Sequence, residues 1–258
     1  MPTAPDKLDP NAVALFLDVD GTLLEIRNNP ADVSADAGLV GLLEACFESL
    51  GGAMALVSGR SVAEVDRIFA PAVFPVAGAH GAELRIDGGK IMTVDHDPLP
   101  PDVLAPIQGL AAAHEGLLLE HKRGGVSLHY RRAPELEPEC RELVTRVMAG
   151  IGDSFRLIAG KMVFEIAPGA YDKGVAIRTF LENPPFAGRV PVFLGDDVTD
   201  EDGFRVVNEL AGTSIRIGDI ERSAARYRLD DVAAVRPWLD RALLVTNNGK
   251  TMETQTLD

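Results

Sequence analysis

The sequence predicts an α/β fold in which a domain built on a parallel sheet is interrupted by a smaller α+β domain. Short apolar runs, typical of buried strands, alternate with segments of helical periodicity over roughly the first 80 residues, and this alternation resumes after residue 168. Between these stretches, hairpin signals and two helical segments replace it. We therefore expect a core formed by residues 1–84 and 168–258, and an inserted domain over residues 85–167.

The first half of the predicted core contains three strands and two helices. Val13–Leu17 is a continuous apolar run followed at once by Asp18, as in a strand buried on both faces of a parallel sheet. Leucine and valine at helical spacing predict a helix over 37–50, which Gly51 and Gly52 end. The other elements are a strand over 53–57 that ends at Ser58, a helix opened by a capping box from Ser61 to Glu64, and a strand over 74–77.

The inserted segment and the second half of the core show different patterns. In the insertion, turns at 87–89 and 123–125 predict hairpins, and helices are predicted over 102–114 and 135–149. After residue 169 the alternation of strand and helix returns. Its predicted elements are a helix from Lys173, a strand over 190–194, a helix from Asp200 and a strand over 214–217.

The composition is that of an ordinary globular protein, with 46% hydrophobic, 25% charged and 5% aromatic residues. The formal net charge of −14 disfavours binding to nucleic acids and to anionic lipid surfaces, because both carry negative charge. The expected partner is therefore a small molecule, with no nucleic acid and no membrane. An anionic substrate would need local basic side chains in its site.

Two features of the sequence favour the cytoplasm. Cys46 and Cys140 are the only cysteines and match no metal-binding spacing, so we expect two reduced, buried thiols. The N-terminus lacks a basic region followed by an apolar one, and the run Val13–Leu17 is far shorter than the ~20 residues of a membrane span. The sequence leaves the oligomeric state open.

Two groups of carboxylates follow buried strands of the predicted sheet. Asp18 and Asp20 come after the first strand, and Asp196 and Asp197 come after a later one. Because ligands of open α/β sheets bind at the carboxyl ends of the strands, we expect these carboxylates to converge there. Converging carboxylates repel one another unless a cation lies among them, and oxygen ligands of this kind suit Mg²⁺.

Ser58 and Lys173 add groups that can bind an anion. Ser58 lies at the end of the second predicted strand, and Lys173 lies at the start of a helix. A lysine there opposes the helix dipole unless an anion is held beside it, which indicates phosphate. A solvated surface lysine is the alternative. The acidic run 200–202 also has two interpretations, as part of the site or as carboxylates that complement a helix N-terminus.

Four features of the sequence, in this order and spacing, resemble the motifs of the haloacid dehalogenase (HAD) superfamily of phosphatases. They are Asp-x-Asp-Gly-Thr at 18–22, Ser58, Lys173 and Gly-Asp-Asp at 195–197. The resemblance implies a Rossmann-like HAD core with a parallel sheet and an inserted α+β cap domain of type C2B. It also implies that Asp18 is the nucleophile, which forms an aspartyl-phosphate, and that Asp20 is the general acid and base.

The same resemblance implies Mg²⁺ as the cofactor and assigns further residues to the site. The metal ligands would be Asp18, the backbone carbonyl of Asp20, and Asp196. Asp197 and Asp200 would orient metal-bound waters or the lysine. The phosphate-binding residues would be Thr22, Ser58, Gly59 and Lys173.

Several segments in and beside the insertion, together with two from the core, narrow the resemblance to the trehalose-6-phosphate phosphatase family, over about residues 14–217. They are 78–83, 120–122, 127–131 and 160–165, with 57–60 and 195–201. The resemblance implies hydrolysis of trehalose 6-phosphate to trehalose and phosphate, a step of trehalose biosynthesis. The substrate would be a disaccharide phosphate. The residues implied to bind it are Arg60, His80, Glu120, Lys122, Arg131, Lys161 and Glu165.

The segment 161–166 permits a check that is independent of the resemblance. In a strand, Lys161 and Glu165 would share one face, which could bind the hydroxyls of a sugar. The other face would pack, and it would carry Met162, Phe164 and Ile166. Exposed cross-strand ion pairs are the alternative for such charged residues.

The histidines carry less information. His80 lies between small residues in Gly78-Ala79-His80-Gly81 and could be a turn residue without chemistry, although the resemblance implies a structural or substrate-adjacent role. His121 and His129 fit no zinc pattern, and we assign them no metal.

Alternatives remain within the superfamily and outside it. Sucrose-phosphate and mannosyl-3-phosphoglycerate phosphatases share the core and the cap type. From a different class, a non-catalytic sugar-phosphate sensor or a signalling receiver would also combine carboxylates, a hydroxyl residue and a lysine. A receiver needs neither a cap nor a general acid such as Asp20, and a sensor would be expected to have lost Asp18, Asp20 or Asp196, all of which are present.

Overall fold

The computed structural model describes residues 1–27, 32–87, 89–94, 98–122, 125–219 and 222–244. These residues form a core sheet of eight strands and a second sheet of four. In chain order the strands are β1 (Val13–Leu17), β2 (Met54–Val57), β3 (Val76–Gly78), β4 (Glu83–Arg85), β5 (Met92–Thr93), β6 (Leu118–Lys122), β7 (Gly125–His129), β8 (Phe155–Gly160), β9 (Val163–Pro168), β10 (Val190–Gly195), β11 (Thr213–Ile217) and β12 (Tyr227–Leu229).

The core sheet brings the ends of three strands to one edge. Its order is β12-β11-β10-β1-β2-β3-β4-β5, and the pairing is parallel from β12 to β3. Leu17, at the end of β1, is in register with Leu194 of β10 and with Leu56 of β2. Since these strands run in the same direction, the residues that follow them meet at the carboxyl edge of the sheet.

Helices cover both faces of the core sheet. Along β1, side chains alternate between the faces, so that Leu15 and Leu17 pack with α1, α2 and α7, whereas Phe16 packs with α5 and α6. This alternation explains why the whole strand is apolar. The helices are α1 (Ala37–Ser49), α2 (Val62–Phe69), α3 (Pro101–Ala113), α4 (Glu137–Met148), α5 (Lys173–Leu181), α6 (Asp200–Glu209) and α7 (Val232–Leu239).

The inserted domain, called the cap below, is an antiparallel sheet in the order β6-β7-β9-β8, with α3 and α4 against one face. Leu128 and Phe164 belong to the apolar cluster on that face. The opposite face is polar, because Glu120, Ser127 and Glu165 stand in one cross-strand row on β6, β7 and β9. This polar face borders the pocket described below.

The predicted fold class is confirmed. Each helix and strand that was predicted with a range is present, and its ends are shifted by two residues or fewer. The short strand β12 and helix α7 were not predicted, because β12 buries only Leu229 among its three residues and offers little apolar pattern. The predicted turns include residues 88, 123 and 124, which lie outside the described residues.

β4 and β5 extend the core sheet and not the cap sheet. β4 pairs antiparallel with β3, and β5 pairs antiparallel with β4. We therefore propose that the cap begins after Thr93, whereas the sequence analysis begins it at residue 85. β9, which leads the chain back to the core, ends at Pro168.

The strand predicted from residue 161 begins instead at Val163. Lys161 and Met162 lie in the turn between β8 and β9, and Met162 has a φ of 64°. Phe164 packs as predicted, but Met162 is exposed. The prediction that Lys161 and Glu165 share a strand face is therefore wrong, because the turn interrupts the alternation.

Two further observations concern the helices and the two cysteines. Within the part that the structure describes, no helix combines the length and the apolar character that a membrane span requires. Cys46 and Cys140 are buried and unpaired, one in the apolar cluster of the core and one in that of the cap. This arrangement agrees with the expectation of two buried thiols.

Candidate active site

A pocket of about 250 Å³ lies between the carboxyl edge of the core sheet and the polar face of the cap. Two predicted site residues, Thr22 and Asp200, are fully buried and do not line it. The other fourteen do, namely Asp18, Asp20, Ser58, Gly59, Arg60, His80, Glu120, Lys122, Arg131, Lys161, Glu165, Lys173, Asp196 and Asp197.

The charge balance of the pocket differs from that of the chain. The chain has 25 basic and 39 acidic residues, whereas the described pocket lining has seven of each. These cations supply the local positive charge that an anionic ligand needs on a chain of net charge −14. The basic residues are Arg27, Arg60, Lys122, Arg131, Arg132, Lys161 and Lys173.

Asp18 and Lys173 form a buried ion pair at the edge of the sheet. Lys173 Nζ donates to Asp18 Oδ1 at 2.6 Å and to Asp200 Oδ1 at 2.7 Å. Burial lowers the pKa of Lys173, but the two carboxylates outweigh this effect and hold the pKa above its usual range. Burial raises the pKa of Asp18; Lys173 opposes this shift, while Asp200 and Asp196 add to it. The single positive charge of Lys173 therefore lies beside more carboxylate charge than it can neutralise.

Asp200 holds the loop that carries the second acidic group. Its Oδ2 accepts hydrogen bonds from the backbone N–H groups of Asp196 and Asp197, at 2.9 and 2.8 Å. Its Oδ1 accepts from Lys173. The carboxylate lies at the first residue of α6, but its contacts go beyond those of a residue that only complements a helix end.

Gly21 allows the two acidic loops to approach each other. It has a φ of 82°, and a Cβ at this position would lie 2.1 Å from Asp196 Oδ2. Glycine alone combines this backbone conformation with such a close approach. The glycine of the Asp-x-Asp-Gly-Thr segment therefore has a packing role beside the candidate site.

The residues at this edge fit a metal ion. Oxygen atoms of Asp18, Asp196 and Asp200 all lie within 4.8 Å of one another. Asp196 Oδ1 is buried and has no hydrogen-bond partner among the residues that the structure describes, while Lys161 Nζ donates to its Oδ2. Burial raises the pKa of Asp196 to about 6, although Lys161 opposes the shift. A buried carboxylate oxygen that accepts no hydrogen bond and lies among other carboxylates is a ligand that suits a hard divalent cation.

Arg60 binds the carboxylate of Asp20 with both ends of its guanidinium. Arg60 Nε donates to Asp20 Oδ2 at 2.6 Å, and Nη2 donates to Oδ1 at 2.7 Å. Such a bidentate pair fixes the orientation of both groups. The sequence analysis expects Arg60 to contact the substrate, and the structure adds this contact with Asp20.

The loop after β2 carries Ser58 and Gly59. Ser58 is buried, and its Oγ accepts a hydrogen bond from the backbone N–H of Arg60 at 3.2 Å. The imidazole of His80 lies against Gly59, where a Cβ would stand 2.6 Å from the ring. Thr22 Oγ1 is buried and has no partner within the described ranges.

On the cap, Glu165 is surrounded by three polar groups. Its Oε2 accepts from Lys122 Nζ and from Ser127 Oγ, each at 2.9 Å, and its Oε1 lies 3.3 Å from His80 Nε2. Burial alone would raise the pKa of Glu165, but His80 and Lys122 outweigh burial and hold it well below its usual range. The sequence analysis missed Ser127, whose position opposite Glu165 depends on strand register.

A second cap carboxylate, Glu120, pairs with His129. The distance from His129 Nε2 to Glu120 Oε2 is 2.9 Å, and both residues line the pocket. This hydrogen bond lowers the pKa of Glu120, and burial opposes it. The sequence analysis gave His129 no role. Arg131 Nη2 donates to the backbone carbonyl of Lys161 at 3.0 Å and so holds the turn from which Lys161 extends.

Comparison with known proteins identifies the family. Residues 16–233 match the family model described as trehalose-phosphatase, which covers more than half of the chain. The chain belongs to the trehalose-phosphatase family. It is 44% identical over 209 residues to a probable trehalose-phosphate phosphatase of Sinorhizobium fredii, a match that covers 80% of this chain and 77% of the relative. It is 42% identical over 228 residues to the trehalose-6-phosphate phosphatase of Escherichia coli K12, covering 88% and 85%.

Solved structures share the fold of this chain. The C-terminal domain of a trehalose-6-phosphate phosphatase of C. albicans superposes with a TM-score of 0.77 at 20% identity, covering 89% of this chain and 92% of that one. The C-terminal domain of a trehalose synthase regulatory protein of Candida albicans gives a TM-score of 0.68 at 14% identity, covering 89% and 94%. At these identities the likeness shows the fold alone.

Proposed function

We propose that this member of the trehalose-phosphatase family is a Mg²⁺-dependent phosphatase that hydrolyses trehalose 6-phosphate to trehalose and phosphate in trehalose biosynthesis. The observation that carries the proposal is the place of Asp18. It is a buried carboxylate at the end of a central strand, 2.6 Å from Lys173, with Asp20 at the same pocket. The names of the two relatives reported above support trehalose 6-phosphate as the substrate.

In the proposed reaction, a carboxylate oxygen of Asp18 attacks the phosphorus, and the bond from phosphorus to the sugar oxygen breaks. The leaving oxygen takes a proton from Asp20, which gives free trehalose and an aspartyl-phosphate on Asp18. A water molecule then attacks this phosphorus and passes a proton to Asp20. Phosphate leaves, and the Asp18 carboxylate is restored.

Arg60 sets the starting position of Asp20 in this scheme. Both oxygens of Asp20 accept hydrogen bonds from the guanidinium, so Asp20 has to release one of these bonds and take up a proton from solvent on the freed oxygen before it can protonate the leaving oxygen. Arg60 also lines the pocket, and we propose that its guanidinium then contacts the substrate. After this exchange Asp20 is paired with the leaving oxygen, and Arg60 is paired with the substrate.

The phosphoryl group is proposed to lie against the loop after β2 and the start of α5. Lys173 supplies a buried cation there, and Ser58 supplies a hydroxyl. Gly59 is proposed to contribute through its backbone, while its missing side chain leaves the space that the His80 imidazole occupies. Thr22 is proposed to contribute through its buried hydroxyl, which has no hydrogen-bond partner in the part of the chain that the structure describes. Preorganised donors of this kind stabilise charge that develops in the transition state.

Mg²⁺ is proposed to be held by Asp18, Asp196 and the backbone carbonyl of Asp20. The support is Oδ1 of Asp196, which is buried within the carboxylate cluster and has no hydrogen-bond partner among the described residues. When bound, the ion would offset negative charge on the phosphoryl group and on Asp18. Asp197 and Asp200 are proposed to orient its waters, and Asp200 also holds Lys173.

The leaving group is proposed to be recognised by the polar face of the cap. Carboxylates and cations both line the pocket on this side, and both kinds can hydrogen-bond the hydroxyls of a disaccharide. The support is that the predicted cap residues line the same pocket as Asp18. They are Glu120, Lys122, Arg131, Lys161 and Glu165, with His80 beside them from the core.

The alternatives differ in the evidence that would favour them. Sucrose-phosphate and mannosyl-3-phosphoglycerate phosphatases would use the same core chemistry, so only the cap residues and the names of relatives separate them from the proposal. A non-catalytic sensor would have the same fold, which the C-terminal domain of a trehalose synthase regulatory protein of Candida albicans shares. Asp18, Asp20 and Asp196 together at one pocket favour an enzyme. The unpaired, buried cysteines are consistent with the cytoplasm as its compartment.

A panel of phosphate-release assays tests the proposal. The substrates are trehalose 6-phosphate, sucrose 6-phosphate, glucose 6-phosphate and mannosyl-3-phosphoglycerate, each with and without Mg²⁺. We expect Mg²⁺-dependent release mainly from trehalose 6-phosphate, and loss of about 10⁴-fold or more in kcat for Asp18→Asn. The exposed Asp219 provides the matched control Asp219→Asn. Comparable rates on all substrates would refute the assigned specificity, and activity retained by Asp18→Asn would refute the nucleophile.

A further inference from the structure

The segment after β3 has an unusual backbone. Ala79 and His80 are consecutive, neither is glycine, and their φ values are 47° and 56°. Left-handed conformations are uncommon for residues with a Cβ, and they persist where the surrounding structure enforces them. Here the surroundings hold His80 so that its side chain is almost completely buried.

The surroundings that enforce this conformation are the proposed phosphate-binding loop. The backbone N–H of His80 donates to the carbonyl of Ser58 at 2.9 Å, and that of Ala79 donates to the carbonyl of Arg60 at 2.7 Å. The imidazole packs on Gly59, where any Cβ would overlap the ring. Ala79 and His80 together are therefore attached to the loop at three consecutive positions and have to move with it.

The other end of the imidazole faces the cap. Nε2 lies 3.3 Å from Glu165 Oε1, and Nδ1 is buried with no hydrogen-bond partner in the described part of the chain. The other oxygen of Glu165 is held by Lys122 and Ser127. Lys122 Nζ also lies 3.4 Å from the carbonyl of Gly59, which gives a second contact between cap and loop at this place.

We propose that His80 is a positioning residue that links the phosphate-binding loop to Glu165, so that the sugar-binding face of the cap closes at a fixed distance from the reacting phosphorus. In this proposal His80 acts through Glu165 and does not itself bind the sugar, in contrast to the direct contact that the resemblance implied. The inference rests on the proposed function for the roles of the loop and of Glu165. The proposed link explains why a histidine with a positive φ occupies this position, although packing alone does not require a histidine there.

The first test compares His80→Ala and His80→Gln with His121→Ala. His121 is an exposed cap histidine on β6 and serves as the matched control. We expect His80→Ala to raise the KM for trehalose 6-phosphate about tenfold and to leave hydrolysis of p-nitrophenyl phosphate, which has no sugar, within about twofold. His80→Gln, whose amide can reach Glu165, should recover most of the loss. Both variants carry a Cβ at positive φ, so the backbone cost cancels between them.

The second test measures the link itself. In a double-mutant cycle, the effects of His80→Ala and Glu165→Ala on KM should not add, because each removes one partner of the same contact. Small-angle scattering of the protein without ligand should show a larger radius of gyration for His80→Ala than for His121→Ala. If His80→Ala does not fold, His80→Asn replaces it, because asparagine tolerates positive φ but is too short to reach Glu165.

The outcomes separate this inference from the proposed function. If the wild-type protein does not release phosphate from trehalose 6-phosphate, the proposed function fails, and the scattering comparison still tests the link. If the wild type is active but His80→Ala matches His121→Ala in KM and in radius of gyration, the positioning role is refuted. Additive effects of His80→Ala and Glu165→Ala would refute it as well.

Discussion

Lys173 Nζ lies 2.6 Å from Asp18 Oδ1, and neither side chain is more than 5% exposed. The same ammonium lies 2.7 Å from Asp200. Taking such groups out of water is costly, and the cost is offset only when each charge keeps close, well-oriented partners. The cluster therefore couples the chemistry of the pocket to the stability of the core, because removing one member leaves the others buried and unpaired.

The first prediction concerns Lys173→Met. The substitution should lower the free energy of unfolding by about 3–5 kcal/mol, because it leaves the carboxylates of Asp18 and Asp200 buried without their cation. It should also abolish phosphatase activity. Urea denaturation at pH 7 measures the change in stability, with Lys90→Met at an exposed position as the control. Equal stability of the two variants would show that Lys173 is not needed to balance the cluster.

The second prediction concerns the candidate metal site. Mg²⁺ should raise the thermal midpoint of the wild-type protein, since a ligand at 100 times its Kd stabilises the folded state by about 2.7 kcal/mol. Asp196→Asn removes the charge of one of the converging carboxylates, the one whose buried Oδ1 has no hydrogen-bond partner among the described residues. We therefore expect this variant to show no Mg²⁺-dependent shift.

The same titration gives the control for the metal site. Asp196→Asn should be at least as stable as the wild type without Mg²⁺, because it relieves repulsion among three buried carboxylates. Asp219→Asn, at an exposed position, should respond to Mg²⁺ as the wild type does. An undiminished Mg²⁺ response in Asp196→Asn would place the ion elsewhere.

The sequence contained enough information to find the residues at the sheet edge. Asp18, Ser58 and Asp196 each follow a short apolar run, and parallel strands bring such positions to one edge whatever the details of the fold. This inference needs only local patterns and one topological rule. The same holds for Lys173, whose place at the start of α5 follows from the helical pattern after it.

The partners of these residues could not be found in this way. The pairing of Ser127 with Glu165 depends on the register of β7 and β9, which no local pattern reveals. The contact of Arg60 with Asp20 joins two loops 40 residues apart. Lys161 was placed on a strand because the alternation of residues 161–166 resembles one, and the turn at its start depends on where β8 ends.

The third prediction concerns His129, the residue beside Glu120 that the sequence analysis left without a role. His129→Ala should raise the KM for trehalose 6-phosphate by about two- to fivefold, because Glu120 loses the partner that holds it. The effect should be modest, since the Glu120 side chain is 40% exposed and water screens the pair. The kcat should change little.

Steady-state kinetics of matched variants test this prediction. His129→Gln keeps a donor near the position of Nε2 and should retain most of the wild-type KM, while His121→Ala reports on an exposed histidine of the adjacent strand. A KM for His129→Ala equal to that of His121→Ala would mean that Glu120 does not need His129 to hold its position.

The fourth prediction concerns the pH dependence of stability and uses a contact far from the pocket. Asp36 caps α1 through a hydrogen bond from the backbone N–H of Leu39 at 2.9 Å, and Arg236 of α7 donates to both of its oxygens. The hydrogen bonds from Arg236 and then from Leu39 lower the pKa of Asp36 from 3.8 to about 2. Ionised Asp36 is thus favoured by the folded state.

The sign of the effect follows from linkage. Because the folded pKa lies below the unfolded one, Asp36 contributes its full stabilisation above about pH 4, and this contribution falls as the pH drops from about 4 towards 2. Asp36→Asn keeps an acceptor for the cap but loses the charge. Its deficit in stability relative to the wild type should therefore be largest near neutral pH and should shrink below pH 4.

Urea midpoints measured between pH 3 and pH 7 give this difference directly. Arg236→Gln should reproduce the same pH profile, because it removes the other half of the pair. Asp36→Ala loses the cap as well as the charge and should remain less stable than Asp36→Asn at every pH. A deficit of Asp36→Asn that stays constant from pH 7 to pH 3 would mean that the charge of Asp36 contributes nothing, and that the cap hydrogen bond alone joins this residue to the stability of the core.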